Sequence, residues 1–302
     1  MLLAKKKSNK IIESRGDRVL SAITTVILVL LLIIVGYPII YVVSCSFSSG
    51  RALELGRVYL WPVEPTLAGY EFVFKYRTVW IGYRNTIFYT IFGVLLTLSS
   101  TIACAYPLSR PNYQGKNVLL KYFLITTFIN AGMIPVYIIK CWLGLKDTIW
   151  AVLTAGMIGF TNMVILRTAF RSVPGELFDA AAIDGAGEFQ TMMQVALPLI
   201  KATTNVILLY SAVGCWNDYW NAMIYLDTEE LYPLQLFLRT ILTAAQSLDK
   251  EQMTAAMMQA AENGTKQIQY ALIVVSTAPV LILYFAIQKS FKQGVMIGSV
   301  KG

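Results

Sequence analysis

The sequence predicts an all-α, polytopic membrane protein with six transmembrane helices. Three observations carry that expectation. Hydrophobic residues make up 56% of the 302 and charged residues 14%, against roughly 25% charged in soluble domains. Six stretches, at 19–50, 85–109, 122–139, 148–166, 202–226 and 267–288, contain no Asp, Glu, Lys or Arg, save for Asp218 in the fifth. A helix needs about 20 apolar residues to cross the roughly 30 Å hydrocarbon layer, so each qualifies. Third, nothing alternates with the period of a barrel strand, and lipid leaves no backbone group unpaired, so the spans must be helices. They are placed at 19–46, 85–107, 118–140, 148–168, 202–226 and 267–289 of a single domain, 1–302.

The first span follows Lys5, Lys6 and Lys7. Its apolar run is too long for a cleavable leader and lacks an A-x-A-like site, so it is expected to be retained. The loop at 51–83 carries Trp61-Pro62, Pro65 and further aromatics and is expected to form a short ordered cap. The second span ends at Tyr106-Pro107, and Arg110-Pro111-Asn112 turns the chain. Gly132, Pro135 and Gly144 mark the third span and its exit. A proline in a membrane helix points to a kink near a pathway, although ordinary helix packing accounts for each of the three equally well. In the long loop at 227–266, Leu234, Leu236, Phe237, Leu238, Ile241 and Leu242 recur at nearly helical spacing. They predict an amphipathic helix lying at the outer face.

An even number of spans puts both termini on one side. If that side is the cytoplasm, it holds 15 Lys and Arg against 6 acids, and the other side 10 against 11. The positive-inside rule therefore places both termini in the cytoplasm, across a plasma membrane. The net charge of +8 is dispersed at span ends, so topology explains it and nucleic acid is excluded as a partner. Four cysteines lie far apart with no CxxC and read as small membrane hydrophobes. There is no histidine, which removes the commonest general base and metal ligand. With no paired carboxylates inside a span, no enzyme, resident metal or cofactor is expected.

Between the fourth and fifth spans, 174–198 is polar and rich in Ala and Gly. Pro174-Gly175 ends one element, and Glu176 opens the next with acids in its first turn, as a helix N-terminus prefers. Leu177, Ala180, Ala181 and Ile183 form its apolar positions, interleaved with Asp179 and Asp184. Gly185 should break that helix, and Phe189, Met192, Met193, Val195 and Leu197 supply a second apolar face ending at Pro198. Two short helices meeting at an acidic corner would make a rigid knob for a soluble partner, or merely a surface hairpin joining two spans.

In these residues the chain resembles the permease subunits of ABC importers. Their signature, acid-Ala-Ala-x-x-x-Gly and then, after nine residues, an apolar residue, x, Leu-Pro, stands here as Asp179-Ala180-Ala181, Gly185 and Val195-Ala196-Leu197-Pro198. The first acid is Asp179 rather than Glu, and Ala202 stands where a further proline is common. The resemblance covers essentially the whole chain. Ser14-Arg-Gly-Asp-Arg18, Tyr37-Pro38, Leu60-Trp61-Pro62, Ala105-Tyr-Pro-Leu-Ser-Arg110, Leu143-Gly-Leu-Lys-Asp-Thr148, Tyr232-Pro-Leu-Gln235 and Val300-Lys-Gly302 are similar to carbohydrate importers, MalG-like subunits of the polysaccharide, lipo-oligosaccharide or aldouronate type. The resemblance implies a type I importer architecture. Its coupling helix, with Glu176, Asp179, Ala180, Ala181, Asp184, Gly185, Ala186, Leu197 and Pro198, would dock on an ATPase. Implied partners are a second homologous permease in a heterodimer, a pair of cytoplasmic ATPase subunits, an extracytoplasmic sugar-binding protein and a carbohydrate. No G-x-x-x-x-G-K-[ST] loop occurs, so ATP would be bound by the partner subunits.

In the fifth span, Asn217 and Asn221 share a face at i, i+4 with Trp220 beside them, and Asp218 lies about 100° around. A carboxylate in lipid is costly unless it meets water or a partner. Amides bind sugar hydroxyls and aromatic faces stack on sugar rings, so the four are candidates for a sugar path. An aromatic belt at the outer interface would use the same residues. Three alternatives stay open. An amino-acid or peptide permease shares the coupling signature. A stand-alone secondary transporter would need an inverted repeat, which is missing. An integral membrane enzyme lacks its catalytic groups.

Overall fold

The computed structural model describes residues 14–129, 131–244 and 265–298. Among them there is no strand. Helix α1 (Arg15–Ser46) opens on a capping box: Ser14 Oγ accepts from the Asp17 amide at 3.1 Å, and Asp17 Oδ2 accepts from the Ser14 amide at 3.0 Å. Its apolar window is 0% buried, and only its last turn, Ser44–Ser46, lies inside the fold. The loop that follows holds α2 (Gly50–Glu54) and α3 (Ala68–Lys75). Ser44 Oγ donates to the Leu60 carbonyl at 2.6 Å, and Ser48 Oγ accepts from the Val63 amide at 3.1 Å. These bonds fasten the loop to the end of α1.

Helix α4 (Arg77–Ser109) begins two turns before the expected position 85 and is the centre of the fold. Gly82, Thr86, Tyr89, Gly93, Thr97, Thr101, Ala105 and Leu108 recur every three or four residues and are buried along one stripe. Small residues on such a stripe let neighbouring backbones come close, which is how membrane helices pack when the solvent is itself apolar. A β-carbon on Gly93 would stand 2.8 Å from Cys215 Sγ.

Beyond α4, three stretches read as continuous spans are interrupted. The third is α5 (Lys116–Phe128) and α6 (Met133–Trp142), whose axes turn by 115° near Gly132, at φ +82. The fourth is α7 (Ile149–Leu153) and α8 (Phe160–Arg171), separated by a turn with Gly156 at φ +76. The segment after α8 forms α9 (Gly175–Ile183), α10 (Glu188–Thr191), a π turn (Met192–Ala196) and α11 (Leu197–Leu199). An 86° bend leads into α12 (Lys201–Trp216), the first part of the fifth stretch. That stretch breaks at 217–219 before α13 (Trp220–Tyr225). Among the described residues, three helices are long and apolar enough to cross a membrane unbroken: α1, α4 and residues 266–285 of α15 (Thr265–Gly298). Irregular backbone at membrane depth is tolerated only where protein or water-filled cavity surrounds it.

Helix α14 (Leu234–Ala244) is the amphipathic helix expected in the last long loop. Its apolar face is covered by protein. Leu234, Phe237, Leu238 and Ile241 are buried against Val73 of α3, Val79 of α4, and Ile268 and Leu272 of α15. The remainder of that loop, 245–264, lies outside the described residues, as do Lys5–Lys7 and Val300–Gly302. A second core, at the other end of α4, joins Tyr106 and Leu108 to Met163, Leu166 and Phe170 of α8 and to Phe178.

Candidate functional site

The acid-Ala-Ala-x-x-x-Gly segment is a helix with its stop. α9 ends in a Schellman motif: the Ala186 amide donates to the Ala181 carbonyl at 2.9 Å and the Gly185 amide to the Ala182 carbonyl at 3.1 Å. Gly185 sits at φ +78, where glycine has no steric penalty. The inner face differs from the expected one. Phe178 and Ala181 are the buried positions of α9, whereas Ile183 is 87% exposed. Phe178 fits the core because Arg110 lies across it, its guanidinium 4.0 Å from the ring centroid. Glu176, Asp179, Ala180 and Asp184 are exposed, and Ala186 is half-buried. Past the corner Phe189 is 73% exposed, so two large apolar side chains flank Gly185 with Glu188 and Asp184 around them.

The root of this knob is tied to α4. Tyr106 Oη donates to Glu188 Oε2 at 2.7 Å, and the Arg110 guanidinium reaches Glu188 Oε1 at 3.9 Å. Arg167 Nε donates to the Leu108 carbonyl at 2.8 Å, holding α8 to the same end of α4. None of Tyr106, Arg110, Phe178 or Glu188 stood among the sequence-based site residues. The Ala105–Arg110 motif carried the signal, but its contacts are non-local. Leu197 packs half-buried on the same core and Pro198 is exposed at the start of α11. Pro198 has no N–H for the Gln194 carbonyl and its ring would strike it. The π turn at Met192–Ala196 widens the helix where that bond is lost.

At the far end of α12 the expected cluster comes together in another geometry. The helix stops at Trp216, so Asn217 and Asn221 do not share a helical face. Asp218 instead caps α13. Its Oδ1 accepts from the Asn221 amide at 3.1 Å, and Asn221 Nδ2 donates to Oδ1 and Oδ2 at 3.0 and 2.9 Å. Its carboxylate is thereby satisfied within the chain. Asn217 Oδ1 accepts from Gln235 Nε2 of α14 at 3.1 Å. Trp220 is exposed, and the Arg239 guanidinium stands 4.8 Å from the Tyr219 ring centroid. Amide, aromatic and guanidinium groups thus converge where α12, α13 and α14 meet. Among the described residues no three His, Cys, Asp or Glu form a metal-binding group.

A further polar cluster, near the junction of α6, α7 and α13, was not anticipated as a site. Asp147, at φ +55, accepts through Oδ1 from the Asp227 and Thr228 amides at 2.9 Å each, and through Oδ2 from Thr228 Oγ1 at 2.6 Å. Lys146 Nζ pairs with Asp227 Oδ2 at 2.8 Å. Those hydrogen bonds hold the Asp147 carboxyl below the usual carboxylate range, and Asp227 holds the Lys146 ammonium above the usual lysine range.

No family model matches the chain. Protein LplC of Bacillus subtilis (strain 168) is 34% identical over 265 residues, 88% of this chain and 89% of that protein. The polygalacturonan/rhamnogalacturonan transport system permease protein YtcP of the same organism is 31% identical, over 88% of this chain and 92% of the relative. Among solved structures, a bacterial ABC transporter involved in the import of the acidic polysaccharide alginate contains a chain with a TM-score of 0.84 and 34% identity. That match covers 93% of this chain and 100% of the other. Agreement at this level along nearly the full length of both relatives and of the solved chain leads to one conclusion: the protein belongs to the permease subunits of carbohydrate ABC importers.

Proposed function

We propose that this chain is one of two homologous permeases paired in an ATP-driven importer, and that 174–198 is the element that docks on the ATPase. The observation that carries the docking reading is the corner at Gly185, where Ile183 and Phe189 are 87% and 73% exposed. An apolar tip set among acids suits a soluble partner offering an apolar groove with a basic rim, and does not suit lipid. The root bonded to α4 through Tyr106, Arg110 and Glu188 would carry a push on the tip into the spans. ATP is bound by a pair of ATPase subunits, and an extracytoplasmic binding protein delivers the sugar. Both termini lie in the cytoplasm, in keeping with the charge split.

The carbohydrate is an oligosaccharide that passes Asn217, Asp218, Trp220 and Asn221. Two features support this path: the helix break that exposes Asn217 and Trp220, and the polymeric sugars named for YtcP and for the alginate importer. The test of docking is an Ile183→Ser, Phe189→Ser double variant. Burying each side chain is worth about 1.5–3 kcal/mol, so ATPase affinity should fall at least tenfold with the permease pair intact. Asp179→Lys should weaken assembly as well, by reversing a charge midway along the docking helix. Parental co-purification of ATPase by both variants would sink the assignment.

A further inference from the structure

At the root of α9, away from its tip, the ends of α4, α5 and α8 enclose a cavity of about 470 Å³. Four cations line it, Arg110, Lys116, Arg167 and Arg171, with Asp179 the carboxylate on its wall. The charge is largely uncompensated. Lys116 Nζ donates to the Pro111 carbonyl at 2.7 Å and Arg167 Nε to the Leu108 carbonyl, both neutral acceptors. Among the described residues no carboxylate lies within ion-pair distance of Lys116, Arg167 or Arg171, and Arg110 reaches only Glu188, at 3.9 Å. Arg167 and Arg171 stand at i, i+4 on α8, where like charges repel. Gly175, the first residue of α9, also lines the cavity, and the helix start has no side-chain cap. Its free amides add positive potential.

Such a cradle fits a phosphate, which accepts several charge-assisted hydrogen bonds at once. Depth selects the source. The cavity lies among the last turns of α4 and α8 and the first turn of α5, with Leu108, Phe170 and Phe178 in its walls. A headgroup would meet cations there and leave its glycerol against apolar side chains. The docking tip is roughly 12 Å further along α9, at 1.5 Å per residue. The cytoplasmic leaflet is the anionic one. We propose that this cavity holds the phosphate of an anionic phospholipid at the cytoplasmic surface and so braces the root of the docking helix. The inference rests on the cytoplasmic placement proposed above.

The test uses the complete importer, purified and offered phosphatidylglycerol, phosphatidylcholine or inorganic phosphate, with bound lipid read by native mass spectrometry. The parent should retain phosphatidylglycerol at least tenfold over phosphatidylcholine. A Lys116→Gln, Arg171→Gln double variant should lose that preference while still assembling with the ATPase, and Lys116→Arg, Arg171→Lys should keep it. Equal retention by parent and Gln variant would overturn the proposal. So would displacement of the lipid by millimolar inorganic phosphate, which would make the cavity a free-phosphate site. Loss of ATPase assembly in the Gln variant would assign the cations to an acidic surface of the ATPase instead. The Ile183 and Phe189 variants report on docking separately, so failure of that reading is distinguishable from failure of this one.

Discussion

A β-carbon added at Gly185 would meet no neighbouring atom within 4 Å, so a substitution there is opposed by backbone conformation alone. At φ +78 that opposition is roughly 1–2 kcal/mol, enough to re-aim α10 without unfolding the cores. Gly185 and Leu197-Pro198 were legible in the sequence because their effects are local: one ends a helix, the other removes an amide. Phe178 was not, because Arg110, which covers it, is distant in the chain. A continuous helix would put Asn217 and Asn221 on one face, but the helix break gives them separate partners, Gln235 and Asp218. Hydrogen bonds to a sugar contribute about 0.5–1.5 kcal/mol each. An Asn217→Leu, Asn221→Leu double variant should therefore lower sugar uptake roughly tenfold in complexes of parental ATPase activity. Parental uptake would leave the cluster structural. Asp218→Leu should frustrate α13 first, since the carboxylate caps it, and must be checked for assembly.

Among the elements, composition located the apolar stretches, but it could not show which of them run straight. Gly132 and Gly156 supplied visible breakers for two interruptions. The break at 217–219 has neither glycine nor proline and is made by the Asp218 cap and by packing of α14. The same packing covers the apolar face of α14 with α3, α4 and α15, where an apolar face alone would have allowed it to lie on lipid. The junction of α6, α7 and α13 depends on Asp147. Its folded carboxyl titrates below the usual value of about 3.9, so its contribution is complete above that value and is lost only as pH falls through the depressed one. The Lys146 contribution is present below the usual lysine value of about 10.4 and is lost as pH rises past the raised one. Hydrogen-exchange protection of the Asp227 and Thr228 amides should accordingly be the same at pH 6 and pH 8. Asp147→Asn should lower it severalfold at both. A pH-dependent parent, or an unaffected variant, would show that the clamp does not hold this junction.

For the whole molecule, the charge asymmetry predicts that a cysteine at Ser8, in a background without the four native cysteines, is labelled only after the membrane is opened. A cysteine at Ser247 should be labelled from outside intact cells. Both positions lie outside the described residues. Labelling of Ser8→Cys from outside would invert the topology. The membrane class and the family were legible over the full chain, since hydropathy and short motifs need no tertiary information. Which helices are neighbours was not.

Helix α1 packs principally on α15, the last of the described helices. Roughly 220 residues separate the end of one from the start of the other. At about 5–20 residues per second, that is on the order of ten to forty seconds of synthesis. During this interval α1 sits in the bilayer with its eventual neighbour not yet made, which its uninterrupted apolar surface permits. The contact between α1 and α15 therefore forms only after the intervening elements have been made. Until then α1 is free to diffuse laterally, while the growing end of the chain is still held where it is being made.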